Sequence, residues 1–345
     1  MEHSSIVIAG DFFLHSEAEI QANSFLIPTE FLKSYKVFAL NLEGPICRCS
    51  DVKPLEKFSA LRMEPSIIMI LKRLGINVAF LANNHVADYG EEGIVETIEI
   101  LRKNGIEIVG AGSNIEEAFR PLIFELNKVR VGLINFTTVF TLQSRATAGK
   151  AGVAGVRMIT NIKITPYELF EEPGAPYVVN AEPFQEDFEL VIKNIRNLRK
   201  DVDLLITYVH WGIGALPFSS IILEYQRKLG RILIDVGSDL VIGSHPHILL
   251  PAERYNGKLI IYSLGNFVFS HKDPRLIFSE VGGILSLDIS EKIVKIMPIC
   301  LDMRGFPGLC KKPYEKIHDL SSFISRSEKL GVRIEELGGG WFALL

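Results

Sequence analysis

Short apolar runs rich in β-branched residues recur along this chain, each ending in polar or turn-forming residues, and that rhythm limits the folds open to it. They stand at residues 5–9 (SIVIA), 37–40 (VFAL), 76–82 (INVAFLA), 129–136 (VRVGLINF), 203–209 (DLLITYV), 239–243 (DLVIG), 258–264 (KLIIYSL) and 283–289 (GILSLDI). Runs of this length and kind read as strands buried on both faces. Between them lie helical periods. Residues 91–104 (EEGIVETIEILRKN) place Ile94, Ile98 and Leu101 on one face, acids at the start, basic residues near the end, and Gly105 as the stop. Residues 219–236 repeat the device with Ile222, Tyr225, Leu229, Ile232, Leu233 and Val236 before Gly237. Alternating strands and helices predict an α/β fold. Residues 141–187, with ATAGKAGVAG and no clean period, break the rhythm and read as a surface excursion, an insertion or lid. The spacing predicts one domain over residues 1–300, and a C-terminal helical extension over 301–345 with its helix near 313–330.

The residues that follow the apolar runs carry the chemistry. Asp11 follows the first run and Glu43 the second. Asn83, Asn84 and His85 follow the third, His210 the run at 203–209, and His245 and His247 the run at 239–243. In parallel α/β sheets ligands bind outside the carboxyl ends of the strands, so residues scattered in sequence can meet at one rim. Two carboxylates, an amide oxygen and three imidazoles suit a pair of borderline divalent ions, Mn, Zn or Fe, better than an all-oxygen Mg or Ca site. Two such ions with a bridging carboxylate activate a water and clamp the oxygens of a displaced group.

Composition removes other classes. A chain of 345 residues, 48% hydrophobic and 23% charged, buries a sufficient core without disulfides or metals. Its net charge of −4 gives no basic field for nucleic acid. No stretch has the length of an apolar membrane span and the start lacks a secretory pattern, so a cytoplasmic protein is expected. A Cys47–Cys49 bridge would be strained, and with Cys300 and Cys310 as the other cysteines no disulfide framework is expected. No P-loop and no G-x-S-x-G elbow stands in the sequence.

GDFFLH, NLEGPI, FLANNHVADYG, GAGSNIEEAFRPLIFE, HWG and DLVIGSHPHILLPAERYNGKLIIYSLGNFVF run in order from about residue 6 to 270. Together they resemble the motifs of the CapA-type poly-γ-glutamate capsule synthesis family, which is similar to calcineurin-like metallophosphoesterases. The resemblance implies a four-layer α-β-β-α sandwich of two mixed sheets and a dinuclear site. It implies Asp11 as a ligand of the first metal, Glu43 as the bridge and Asn84 as a ligand of the second. His210 and His245 would be further ligands of the second metal and His247 of the first, with His85 beside the substrate as proton donor or oxyanion stabiliser. The sequence departs from the phosphoesterase D-x-H motif at Phe13, and Gly214 stands where many relatives carry an acid. Asn266, Glu253, Arg157 and Arg275 are candidate substrate contacts, the arginines because guanidinium clamps carboxylate or phosphate. Two readings stay open: a hydrolase of a phosphoester or glutamyl-type amide, and a non-hydrolytic or amide-forming component of polymer assembly. The expected ligand is a small anion or polymer end, with partner proteins of a biosynthetic cluster.

Overall fold

A computed structural model describes residues 3–20, 25, 27, 32–164, 166, 170–172, 178–214, 220–270, 281–312 and 318–345. The apolar runs of the sequence lie in strands of two large mixed sheets. The ten-stranded sheet places His3–Phe13 at its heart, parallel to Tyr35–Leu42, which is followed by parallel Val78–Phe80 and Glu107–Val109. On its other side Val281–Asp288 runs antiparallel and leads through Ile293–Leu301 to the C-terminal hairpin of Ile334–Gly338 and Trp341–Leu344. The six-stranded sheet has a parallel centre of Val129–Thr137, Leu204–His210, Leu240–Ser244 and Lys258–Leu264, with Leu122–Leu126 and Leu249–Tyr255 antiparallel at its edges.

The two-residue period of the strands builds the layers. In the first strand Ile6 and Ile8 point to one core and Val7 and Ala9 to another. Ile6, Ile8, Val37, Ala39 and Phe80 meet Val131, Leu133, Ile206, Tyr208 and Ile242 between the two sheets. There the Phe80 and Tyr208 rings stack with centroids 4.2 Å apart. Val7, Ala9, Phe38 and Leu40 pack outward on the helices Ile67–Leu74 and Gly90–Lys103. Leu205, Val209 and Val241 pack outward on Gln185–Arg199 and Glu224–Asp235. The result is helix, sheet, sheet, helix, the α/β sandwich of two mixed sheets. Each core position is worth roughly 1.5–3 kcal/mol of burial, so register is strongly fixed.

The two helices read from their apolar periods are present, as Gly90–Lys103 and Glu224–Asp235, with Gly105 and Gly237 at positive φ after them. The second is shorter than its period suggested. Gly10 is needed for close approach, because a Cβ there would meet the Gly265 carbonyl oxygen at 1.9 Å. That approach seats Asp11, whose N–H donates to the same oxygen at 2.9 Å.

Three expectations are corrected. Ala146, Val153, Ala154 and Val156 are fully buried, so the 141–187 segment passes through the interior at residues 151–156, although Leu142 and the strand Met158–Lys163 lie largely at the surface as expected. Its small residues allow this, for a Cβ on Gly152 would meet the Ala146 backbone nitrogen at 2.3 Å. The C-terminal extension is not simply helical: helix His318–Lys329 is followed by the hairpin that extends the larger sheet. Finally, the cysteines are paired, Cys47 with Cys49 and Cys300 with Cys310, at Cα separations of 5.4 and 4.9 Å. Cys49 takes a left-handed φ of 44°, which brings its side chain back towards Cys47. Cys300 lies opposite Gly308 in a strand pair, which brings Cys310 alongside. Such bridges persist in oxidising compartments, so they lend the expected cytoplasmic placement no support. Among the described residues no helix is long and apolar enough to cross a membrane. In guanidinium the isolated protein is expected to show no titratable thiol before reduction and four after it; four before reduction would refute both pairings.

Candidate metal centre

Asp11 and Glu43 arrive on neighbouring parallel strands or just beyond their ends, and both are fully buried. Burial favours the neutral carboxyl, and it pushes Glu43 well above the usual range even though His247 beside it pulls the other way. Asn41, two residues before Glu43 and so on the same face, serves both acids. Its amide donates to Asp11 Oδ1 at 2.8 Å and to Glu43 Oε2 at 3.3 Å. Asn83 in turn donates to Asn41 Oδ1 at 3.0 Å, while its own oxygen accepts the N–H groups of His85 and Val86. Glu43 Oε1 is left buried with no hydrogen-bond partner among the described residues.

The smaller sheet supplies the imidazoles. His210 ends its strand, with Nδ1 2.9 Å from Ser244 Oγ and Nε2 2.8 Å from Asn84 Oδ1. His245 and His247 follow strand Leu240–Ser244 with φ of 95° and 57°. Such a backbone conformation is costly for non-glycine residues and concentrates at functional sites. It aims both rings back at the carboxylates: ring centroids lie 4.7 Å apart for His210 and His245, and 5.9 Å for His245 and His247. His247 Nδ1 donates to Asn266 Oδ1 at 2.9 Å, and its Nε2 lies 3.5 Å from Glu43 Oε1. His245 Nδ1 is buried without a partner. Burial, reinforced by neighbouring imidazoles, holds His210 and His245 well below the ordinary histidine range. Burial opposes the charged form of His247 too, but Glu43 and Asp11 outweigh it and raise this ring to about 9.

The donor atoms fall into two sets, Glu43 with His210 and His245, and Asp11 with Glu43 and His247, each set lying within 4.8 Å. Glu43 belongs to both. Two imidazoles held neutral, a third whose proton a cation would displace, and two carboxylates, one with an oxygen left without a hydrogen bond, fit a pair of divalent cations.

His85 stands beside this cluster on the 83–88 turn. Its Nδ1 lies 2.7 Å from Asp88 Oδ2. Burial lowers His85, Asp88 opposes that, and the net direction is down. Lys57 completes the group, with Nζ 2.5 Å from Asp88 Oδ1 and from the Asn84 carbonyl oxygen. Asn41, Asp88, Lys57 and Ser244 were not singled out by the sequence reading. Asn41 and Asp88 carry a signal, at i−2 from Glu43 on one strand face and at i+3 from His85. Lys57 lies in an irregular segment and carries none.

Two candidate substrate contacts are committed elsewhere. Glu253 accepts from Arg231 at 2.5 and 2.7 Å and from Tyr262 Oη at 2.6 Å. Arg157 is held bidentately by buried Asp187 at 2.7 and 2.8 Å and lies over the Phe184 ring, so its guanidinium is already paired. Arg275 lies outside the described residues. A Cβ at Gly214 would come within 3.1 Å of the His245 ring, so the residue that replaces the relatives' acid leaves His245 room.

Comparison with known proteins gives the chain a family. Residues 5–271 match the family described as bacterial capsule synthesis protein PGA_cap. The chain belongs to that family. It is 31% identical over 230 residues, 66% of this chain and 52% of the relative, to the PGA biosynthesis protein CapA of Bacillus subtilis. It is 28% identical over 241 residues, 67% of this chain and 55% of the relative, to a Mycobacterium tuberculosis protein named "probable polyglutamine synthesis accessory protein". The chain thus spans about half the length of the curated relatives it matches. Among solved structures, a Mycoplasma pneumoniae phosphatase aligns over 92% of this chain and 99% of its own, at 13% identity and a TM-score of 0.44.

A cation bound through His247 Nε2 must displace the proton that Glu43 and Asp11 hold on that ring. Affinity for added Mn, measured calorimetrically, is therefore expected to rise by up to ~tenfold per pH unit towards pH 9, with proton release. A flat profile from pH 7 to 9 would contradict that assignment.

Proposed function

We propose that this PGA_cap-family chain is a metal-dependent hydrolase with a dinuclear centre, acting on a phosphoester or a glutamyl-type amide and serving poly-γ-glutamate, capsule or surface-polymer biosynthesis. The observation that carries the reading is Glu43, a member of both donor sets, whose buried Oε1 has no hydrogen-bond partner among the described residues and lies 4.0 Å from His210 Nε2 and 3.5 Å from His247 Nε2. Asp11, Glu43 and His247 would hold one ion; Glu43, Asn84, His210 and His245 the other. When bound, such ions supply Lewis-acid polarisation and acidify a water.

The remaining steps belong to the chain's own residues. Asn41 fixes the two carboxylates, and Ser244 and Asn266 fix the rings of His210 and His247 through their Nδ1 atoms. His85, held through Nδ1 by Asp88, presents its other ring nitrogen away from that carboxylate. There it can hold or deliver a proton as the leaving group departs. Closed packing around the fully buried acids and His210 keeps bulk water from screening the charge that develops.

A second reading is favoured by one comparison, the relative named as an accessory protein: the same centre would bind an anionic polymer end without cleaving it. Turnover separates the two. With added Mn, wild-type protein is expected to hydrolyse a model substrate, bis-p-nitrophenyl phosphate or a γ-glutamyl anilide. His85→Ala is expected to lose about 10²–10⁴-fold in kcat while retaining its metal. Inertness of the metal-loaded wild type towards both probes would favour the accessory reading, and full activity in His85→Ala would remove that residue from the chemistry.

A further inference from the structure

The segment between Cys47 and Met63 is a closed loop. Its ends are tied by Cys47 N–H to Met63 O at 3.1 Å and Met63 N–H to Pro45 O at 2.8 Å. Its middle is fastened to the 83–88 turn almost wholly through Asp88. Leu55 N–H donates to the Asp88 carbonyl oxygen at 2.8 Å, Leu61 N–H to Oδ2 at 2.7 Å, and Lys57 Nζ to Oδ1 at 2.5 Å. Lys57 also reaches the Asn84 carbonyl oxygen, so it ties the residue before His85 to Asp88 three residues after it. Its side chain is only 13% exposed and Asp88 is fully buried, so this charge pair is largely shielded from water.

The two oxygens of Asp88 have separate duties. Oδ2 takes His85 Nδ1 and the Leu61 N–H, while Oδ1 takes Lys57 alone among the described residues. Without the ammonium Oδ1 would be a buried unpaired acceptor, and the carboxylate would gain by rotating towards whichever donor remained. His85 Nδ1 lies 2.7 Å from Asp88 Oδ2, and a carboxylate only accepts, so Nδ1 carries the proton of that hydrogen bond. Lys57 Nζ, 3.3 Å from the same nitrogen, only donates and so does not compete for that proton as an acceptor, which leaves Nε2 at the far edge of the ring.

We infer that Lys57 is a positioning residue for His85: by occupying Asp88 Oδ1 it fixes the carboxylate so that Oδ2 holds the Nδ1–H form and orientation of the ring. The inference rests on the hydrolase reading only for its effect on rate. A purely tethering lysine would hold the loop without influencing the ring, and the two roles separate experimentally. Full-length protein labelled with ¹⁵N-histidine, without added metal, is examined by long-range ¹H–¹⁵N correlation, with His85 identified through His85→Gln. Wild type is expected to show the Nδ1–H tautomer at His85. Lys57→Met is expected to lose it, and Lys57→Arg to retain it.

With Mn and the same model substrates, Lys57→Met is expected to keep its metal and its KM within about twofold while kcat falls roughly 10–100-fold, as for other outer partners of a site. Loss of the tautomer in Lys57→Met with no turnover in wild type would end the hydrolase reading and leave the positioning role standing. An unchanged His85 spectrum in Lys57→Met, whatever happens to the melting temperature, would overturn the role. If Lys57→Met does not fold, Lys57→Gln is read by the same criteria.

Discussion

Glu43 is buried beside a second carboxylate, Asp11, and faces three imidazoles from another sheet. An ionised carboxylate taken out of water is strongly destabilising unless it is paired and hydrogen-bonded. Asn41 serves one oxygen of each acid and the His247 ring offers a partial counter-charge, yet Glu43 Oε1 stays without a hydrogen bond. Much of the local architecture is arranged around that unmet demand. The left-handed backbone at His245 and His247, the close passage of Gly10 under Gly265, and the chain of amides from Asn83 to Asn41 all bring polar groups to the same few ångströms. Stability alone would be better served by apolar side chains here, so the arrangement is intelligible as a receptor for cations.

The sandwich is what makes such a cluster attainable. Each parallel strand has one face in the central core and one under helices, so its register cannot slip without exposing a full row of apolar side chains. Ligands offered from strand ends are thereby held to a fraction of a residue. The two sheets contribute unequally: the larger brings the carboxylates, and the smaller brings His210, His245 and His247. Division of the donors between two rigid sheets means that the site lies across the central core and that packing at Phe80 and Tyr208 bears on its geometry.

The runs from SIVIA to GILSLDI betrayed the strands because burial on both faces leaves a continuous apolar record, and the polar residues just beyond them marked the rim where the structure gathers them. Position-specific information ran out where contacts are made by irregular backbone. Lys57 occupies an unpatterned loop, and its role depends on a tertiary meeting with Asp88 that no local period encodes. The stretch 151–156 of the 141–187 segment reads as surface because small residues give weak periodicity, whereas their smallness is what lets those six residues pack inside. Arg157 and Glu253 show what side-chain type alone leaves out: a guanidinium or a carboxylate suits an anion or a ligand, but the sequence does not reveal that Asp187 pairs with the first and Arg231 with the second. The cysteine pairing was missed because a two-residue spacing alone does not reveal the left-handed turn at Cys49.

Elemental analysis of the purified, tag-free chain after equilibration with Mn, Zn or Fe, beside Glu43→Ala, tests the central claim most directly. A carboxylate shared by both donor sets predicts about two ions per wild-type chain and loss of both, or nearly so, in the variant. Failure of the wild type to retain any ion, or an equal content in Glu43→Ala, would contradict the account.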